Sequence, residues 1–222
     1  ESCKISMNFG DKLPYEEVHE VKAVGNSPNA GVSAHRLGLK SAIMTDIGDD
    51  RNGEDCLETL KTEGIDTTFV RTHKDQKTNY HYVLWFNAER TILVKHTEFE
   101  YSFPQEMPAP KWLYLSSLAE NSLPYHDMIA DYLEKNPETK MAFQPGTFQM
   151  KLGSDKLERL YKSSALFFCN KEEANRILKS NESDIKVLLE NMRNLGPKTV
   201  VITDGPNGAF TYDGAEFWKM PM

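Results

Sequence analysis

The chain has 222 residues, 39% of them apolar and 27% charged, a balance that suits one globular domain and excludes a disordered one. Lys and Arg number 26 against 33 Asp and Glu, a net charge of −7 that leaves no basic footprint for a nucleic-acid backbone. No window approaches the ~20 uninterrupted apolar residues of a membrane span, and the first residues lack the basic-then-apolar layout of a signal peptide. A cytoplasmic protein is therefore expected. Cys3, Cys56 and Cys169 are odd in number, far apart and without a CxxC pair, so neither a disulfide framework nor a thiolate metal site is indicated. The six histidines, at 19, 35, 73, 81, 96 and 126, lack the HxxxH and HExxH spacings of zinc hydrolases.

Taken in chain order, short apolar runs alternate with amphipathic stretches, the βαβ pattern. Runs at 41–45, 112–115, 141–143, 165–168 and 199–203 have the length and lack of alternation of strands covered on both faces, which predicts a parallel sheet. Helices are predicted over 29–37, 53–63, 123–134, 155–161, 171–178 and 183–194. In the second of these Cys56, Leu57 and Leu60 share one face. Two regions break the rhythm. Residues 3–24 and 67–96 contain alternating stretches that suggest strands with one wet face. They are expected to form a small antiparallel sheet standing off the α/β body as a lid within a single domain spanning 1–222; edge strands of the main sheet are the alternative.

Four turns carry groups suited to binding. Asn26-Ser27-Pro28-Asn29 follows Gly25 and opens a helix rich in small residues. Its backbone N–H groups and two amides suit a polyhydroxyl ligand, because amides, like sugar hydroxyls, both donate and accept; helix capping by Asn26 or Asn29 explains the same residues. Ile47 to Gly53, with the pair Asp49-Asp50, could be any strand-to-helix loop. Asn170 and Glu173 stand at the carboxyl end of a buried strand, where ligands of open α/β sheets collect. They could hold a hydrated Mg²⁺ through water or form a capping box, and both can hold at once. Thr203, Gly205 and Gly208 end another buried strand, where a hydroxyl and close backbone approach suit a nucleotide phosphate or ribose; a plain hairpin turn accounts for the glycines equally well.

In order and spacing these segments resemble the ribokinase-like (PfkB) carbohydrate kinases over almost the whole chain. The resemblance rests on Gly25-Asn26-Ser27-Pro28-Asn29; Arg36-Leu37-Gly38, nine residues, then Gly48-Asp49-Asp50; and Glu63-Gly64-Ile65-Asp66-Thr67. It continues through the lid-like 78–94, Leu115-Ser116-Ser117, Asn170-x-x-Glu173 and Thr203-x-Gly205-x-x-Gly208. It implies a three-layer α/β/α sandwich with a mainly parallel central sheet and a small β-sheet lid. The implied activity is transfer of the ATP γ-phosphoryl group to a hydroxyl of ribose, fructose or a related sugar, or of a nucleoside. Gly25, Asn26, Asn29, Asn79 and Tyr80 would then hold the substrate. Thr203, Gly205 and Gly208 would line the ATP site, with Asn170 and Glu173 ordering Mg²⁺ and phosphates through water.

Two positions depart from the family pattern. Val24 stands where the family usually has a glycine, and Gly31 replaces a small Ala or Ser. Members also begin with a strand carrying a substrate-binding aspartate and carry a later Gly-Ala-Gly-Asp motif whose aspartate is the catalytic base. The expectation is that both lie outside this segment, with the base beyond Met222 and the 222 residues alone inactive; Asp49, Asp50 and Asp204 are not assigned that role. A non-catalytic sugar- or nucleotide-binding module is the competing reading, and a Rossmann dehydrogenase lacks its GxGxxG turn. A homodimer closing the free edges of the lid strands is a further expectation.

Overall fold

The computed structural model describes residues 6–87, 89–104 and 106–222; Cys3 and the first part of the expected strand at 4–9 lie outside them. The helix α1 (Asn26–Arg36) leads to strand β1 (Ala42–Gly48), helix α2 (Arg51–Thr62) and strand β2 (Asp66–His73). A hairpin of β3 (Tyr82–Phe86) and β4 (Glu89–Leu93) follows. The rest of the chain alternates β5 (Trp112–Leu115), α3 (Leu123–Lys135), β6 (Lys140–Phe143), α4 (Thr147–Leu152), α5 (Glu158–Ser163), β7 (Ser164–Asn170), α6 (Lys171–Leu178), α7 (Ile185–Asn194) and β8 (Thr199–Thr203). It closes with β9 (Ala209–Tyr212) and β10 (Phe217–Met220).

The body is a six-stranded sheet in the order β10-β9-β8-β7-β6-β5, parallel from β5 to β8 and antiparallel through β9 and β10. Three successive residues of β6, Met141, Ala142 and Phe143, are buried. Successive strand side chains point to opposite faces, so helices cover both sides, as the uninterrupted apolar runs imply. Ile129 and Leu133 of α3, Leu160 and Tyr161 of α5, Ile177 of α6 and Leu188, Leu189 and Met192 of α7 complete this core. Burial pushes the Cys169 thiol far up, which makes it a packing residue rather than a reactive one.

Three expectations change. The run at 41–45 forms β1, but among the described residues β1 pairs only with β2, in a separate parallel two-stranded sheet. The other four runs join the six-stranded sheet. β2 itself, expected in the lid, pairs in parallel with β1 in that two-stranded sheet: its half-buried pattern is that of a strand with one covered face, which alternation alone does not distinguish from a lid strand. No strand forms among the described residues of 6–24. Met7, Phe9, Leu13, Tyr15, Val18 and Val21 there are exposed, and Pro14 supplies no donor for a ladder. The lid that stands off is thus the β3–β4 hairpin. The short helix α4 and the edge strand β10 were not anticipated.

Candidate active site

The carboxyl ends of β5, β6, β7 and β8 lie side by side on one rim of the sheet, the place where open α/β sheets bind ligands. At the β5 end stands the first turn of α1. Gly25 caps that helix at φ 151, a backbone conformation that L side chains rarely adopt. Neither Asn26 nor Asn29 serves as cap. Asn29 Oδ1 comes only within 3.5 Å of the Gly25 N–H, and both amides are exposed. With no acidic residue in its first turn, the helix keeps its N-terminal donors unneutralised. Ser27 fastens the turn to the end of β5 through a 2.6 Å hydrogen bond between its hydroxyl and that of Ser116.

At the other end of the rim, parallel pairing sets Asn170 of β7 directly beside Thr203 of β8. Two motifs some thirty residues apart in the chain are thereby joined. Asn170 and Glu173 form a complete capping box: Asn170 Oδ1 accepts from the Glu173 N–H at 2.8 Å and Glu173 Oε2 from the Asn170 N–H at 2.9 Å. The box engages one atom of each side chain, so the Asn170 NH₂ and Glu173 Oε1 stay unengaged by it. Lys171 reaches Asp204 at 3.7 Å across the two turns. Thr203 is exposed, and a single 3₁₀ turn at 205–207 connects β8 to β9. Gly208 has φ 94, and a side chain there would collide with the Met220 carbonyl, so its smallness serves the β9–β10 packing first.

Between the two ends, Gln144 follows β6 and accepts a 2.6 Å hydrogen bond from the Tyr114 hydroxyl. The lid neck approaches this middle ground, where His96 packs edge-on against Phe148 of α4 at 5.1 Å. Asn79 is engaged in the neck itself: its Oδ1 accepts from the Thr97 N–H at 2.6 Å, which leaves its NH₂ unengaged by that bond. Tyr80 is half-buried and edge-on to Tyr82 at 5.2 Å.

Asp50, left open as a loop residue by sequence, has a definite place. Its carboxylate caps α2 through the Gly53 N–H and accepts from the Thr78 hydroxyl at 2.6 Å. Burial opposes the charge, yet hydrogen bonds from Thr78 and Gly53 outweigh it and hold the group below its ordinary range. Thr78 in turn accepts from the Gly48 N–H, so Asp50 fastens the base of the lid to the β1–α2 loop.

Among the described residues, no group of three or more His, Cys, Asp or Glu side chains could cage a metal ion. The donor set at Asn170 and Glu173, with one carboxylate oxygen left over, suits a cation that keeps most of its waters. Sequence reasoning did not single out Gln144, Gln149 or His126, which meet the rim only through folding.

The fold and this rim define a class, and comparison with known proteins agrees. Residues 8–222 match the family described as pfkB family carbohydrate kinase, and the chain belongs to it. It is 27% identical to the ribokinase of Mus musculus over 205 residues, covering 86% of this chain and 61% of that protein. It is 27% identical to the aminoimidazole riboside kinase of Salmonella typhimurium, covering 90% of this chain and 66% of that protein. The chain thus spans less than two thirds of the length of these relatives. A fructokinase of Vibrio cholerae, solved with fructose, ADP and calcium ion bound, superposes with TM-score 0.72 at 19% identity, covering 94% of this chain and 71% of that one.

Proposed function

We propose that the protein is an ATP-dependent sugar kinase acting on ribose, fructose or a related small carbohydrate. The observation that carries this reading is the two-ended rim: α1 fastened at the β5 end by Ser27 and Ser116, and Asn170 beside Thr203 at the β7–β8 end. Gly25, Asn26 and Asn29 hold the sugar, assisted by Asn79 and Tyr80 from the lid neck. Thr203, Gly205 and Gly208 line the nucleotide, and Asn170 and Glu173 order its phosphates and a Mg²⁺ ion through water. The ion neutralises charge that develops on the transferred phosphoryl group. The lid excludes water, without which ATP hydrolysis would compete with transfer.

A nucleoside acceptor is the second reading. It draws on the Tyr80–Tyr82 pair, an aromatic surface for a base, and on the Salmonella relative that phosphorylates, by its name, a riboside. The exposed apolar side chains of the hairpin, Tyr82, Trp85, Phe86 and Leu93 among them, support a homodimer in which a second copy covers them. No helix among the described residues is long and apolar enough to cross a membrane, and a cytoplasmic setting accords with Cys56 and Cys169 being free thiols among the described residues.

The test is ADP release by the full natural chain with a panel of ribose, fructose, other hexoses and nucleosides. The reading expects ADP release with ATP and one class of sugar, and far less with ATP alone. Release that no sugar stimulates would reject it.

A further inference from the structure

Behind the exposed residues of the rim lies a buried polar chain that reaches from α1 into the body. Ser116, at the end of β5, is 5% exposed. Its hydroxyl meets that of Ser27 at 2.6 Å, while its carbonyl accepts a 3.0 Å hydrogen bond from the side-chain NH₂ of Gln149. Gln149 of α4 has no exposed surface, and each of its polar atoms is engaged. Its Oε1 accepts from the Gly146 N–H at 2.7 Å, and its NH₂ also reaches His126 Nε2 at 3.0 Å.

This arrangement is determinate. An amide that gives both N–H groups away and takes one in has a single orientation. The Gln149 NH₂ faces His126 Nε2, which is thereby placed to accept, while His126 Nδ1 is buried without a hydrogen-bond partner. Burial of His126 pushes its pKa down to about 4, which keeps the ring neutral and Nε2 free to accept. Gly146, between β6 and α4, must be glycine, because a side chain there would collide with Ser117. The ends of β5 and β6 are thus drawn together by Gln149, and α1 is tied to the joined pair by one hydroxyl contact.

We infer that Ser27, Ser116 and Gln149 are positioning residues that set the first turn of α1, and with it Asn26 and Asn29, at the height and angle the sugar requires. The inference rests on the sugar-site reading above and adds the device that holds that site. Gln149 itself is held by three hydrogen bonds in a buried site, which restrains α4 against the β5 end, and displacement of a binding turn by a fraction of an ångström weakens every contact it makes. Ser27 and Ser116 leave the nucleotide end of the rim untouched, so their loss acts on one substrate only.

The experiment is a double-mutant cycle of Ser27→Ala and Ser116→Ala in the full natural chain. Sugar KM, ATP KM and Tm are measured for each, with Asn29→Ala as a reference. Each single variant is expected to raise sugar KM about 5- to 10-fold with ATP KM unchanged, and the double variant to be no worse than a single one, because both remove the same hydrogen bond. Ser27→Thr, which keeps a hydroxyl, should restore sugar KM to within about 2-fold of the parent. Unchanged sugar KM in the serine variants alongside a raised value in Asn29→Ala would overturn the positioning role alone. No change in any of the three would overturn the sugar-site reading with it. Equal increases in both KM values, with a lowered Tm, would show a merely structural bond and also overturn the inference.

Discussion

The sheet body and the lid hairpin solve the same problem in opposite ways. Phe143, Phe167, Val200 and Ile202 in the body have no exposed surface, whereas Trp85 and Phe86 of the hairpin are 75% and 62% exposed. Both regions are rich in apolar and β-favouring residues, so composition does not separate them. What separates them is the supply of partners: the inner body strands have neighbours on both sides and helices above and below, and the hairpin strands pair only with each other among the described residues. A two-stranded ribbon is at best marginal in water, and this one is held at its neck by side chains. Asp50 grips Thr78, Asn79 holds Thr97, and the Thr97 hydroxyl donates to the Lys77 carbonyl at 2.7 Å. The lesson is that the body is stabilised by packing and the lid by a few polar fastenings, which leaves the lid free to respond to whatever covers it.

Perturbations should divide along the same line. Phe167→Ala, which empties a site packed on Phe143 and Tyr161, should cost about 4 kcal/mol in denaturant unfolding, the largest effect. Acidification should act next, again through the body. The buried His126 has its pKa depressed to about 4 from 6.5, so the stability this neutral ring permits is fully present above pH 6.5 and is lost as pH falls toward 4. Its share is about 3 kcal/mol. His81 and His96, exposed residues at the base of the hairpin whose pKa partial covering also lowers, add in the same direction. Unfolding curves between pH 7.5 and 4.5 measure the sum, and a histidine NMR titration should show His126 silent above pH 5.

The lid should respond more weakly and more locally. Asp50→Ala removes a helix cap and the grip on Thr78 together, at a cost of about 2 kcal/mol, and hydrogen exchange across 78–97 should speed up while the strands of the body keep their protection. Smallest of all is the double change Trp85→Ser with Phe86→Ser. It should move unfolding of the isolated chain by no more than about 0.5 kcal/mol, yet abolish self-association in sedimentation if a second copy covers the hairpin.

How much of this was legible depended on whether a signal is local. Asn170 and Glu173 were readable as a pair because a capping box lies within one helical turn, and Thr203 to Gly208 because glycines punctuate a turn. That these two motifs touch required the β7–β8 register, which sequence implies only through the parallel-sheet reading. The segment 6–24 was misread because alternation reports which faces a strand would have and says nothing about who pairs with it. β2 was placed in the lid for the same reason, and β10 was missed because Phe217, Trp218, Lys219 and Met220 are all exposed and sit at an edge. The Ser116–Gln149–His126 chain was out of reach, since its members are 10 to 33 positions apart: Leu115-Ser116-Ser117 was legible as a motif, but Gln149 and His126 alone look like ordinary polar surface.

The central claim is that the two ends of the rim bind two different substrates. The direct measurement is a crossed pair of KM values in the full natural chain, with Asn29→Ala at the β5 end and Thr203→Val at the β8 end. The account predicts that Asn29→Ala raises sugar KM about 10-fold or more and spares ATP, while Thr203→Val raises ATP KM and spares the sugar. If both variants shift both constants together, or neither shifts either, the division of the rim into a sugar end and a nucleotide end is wrong.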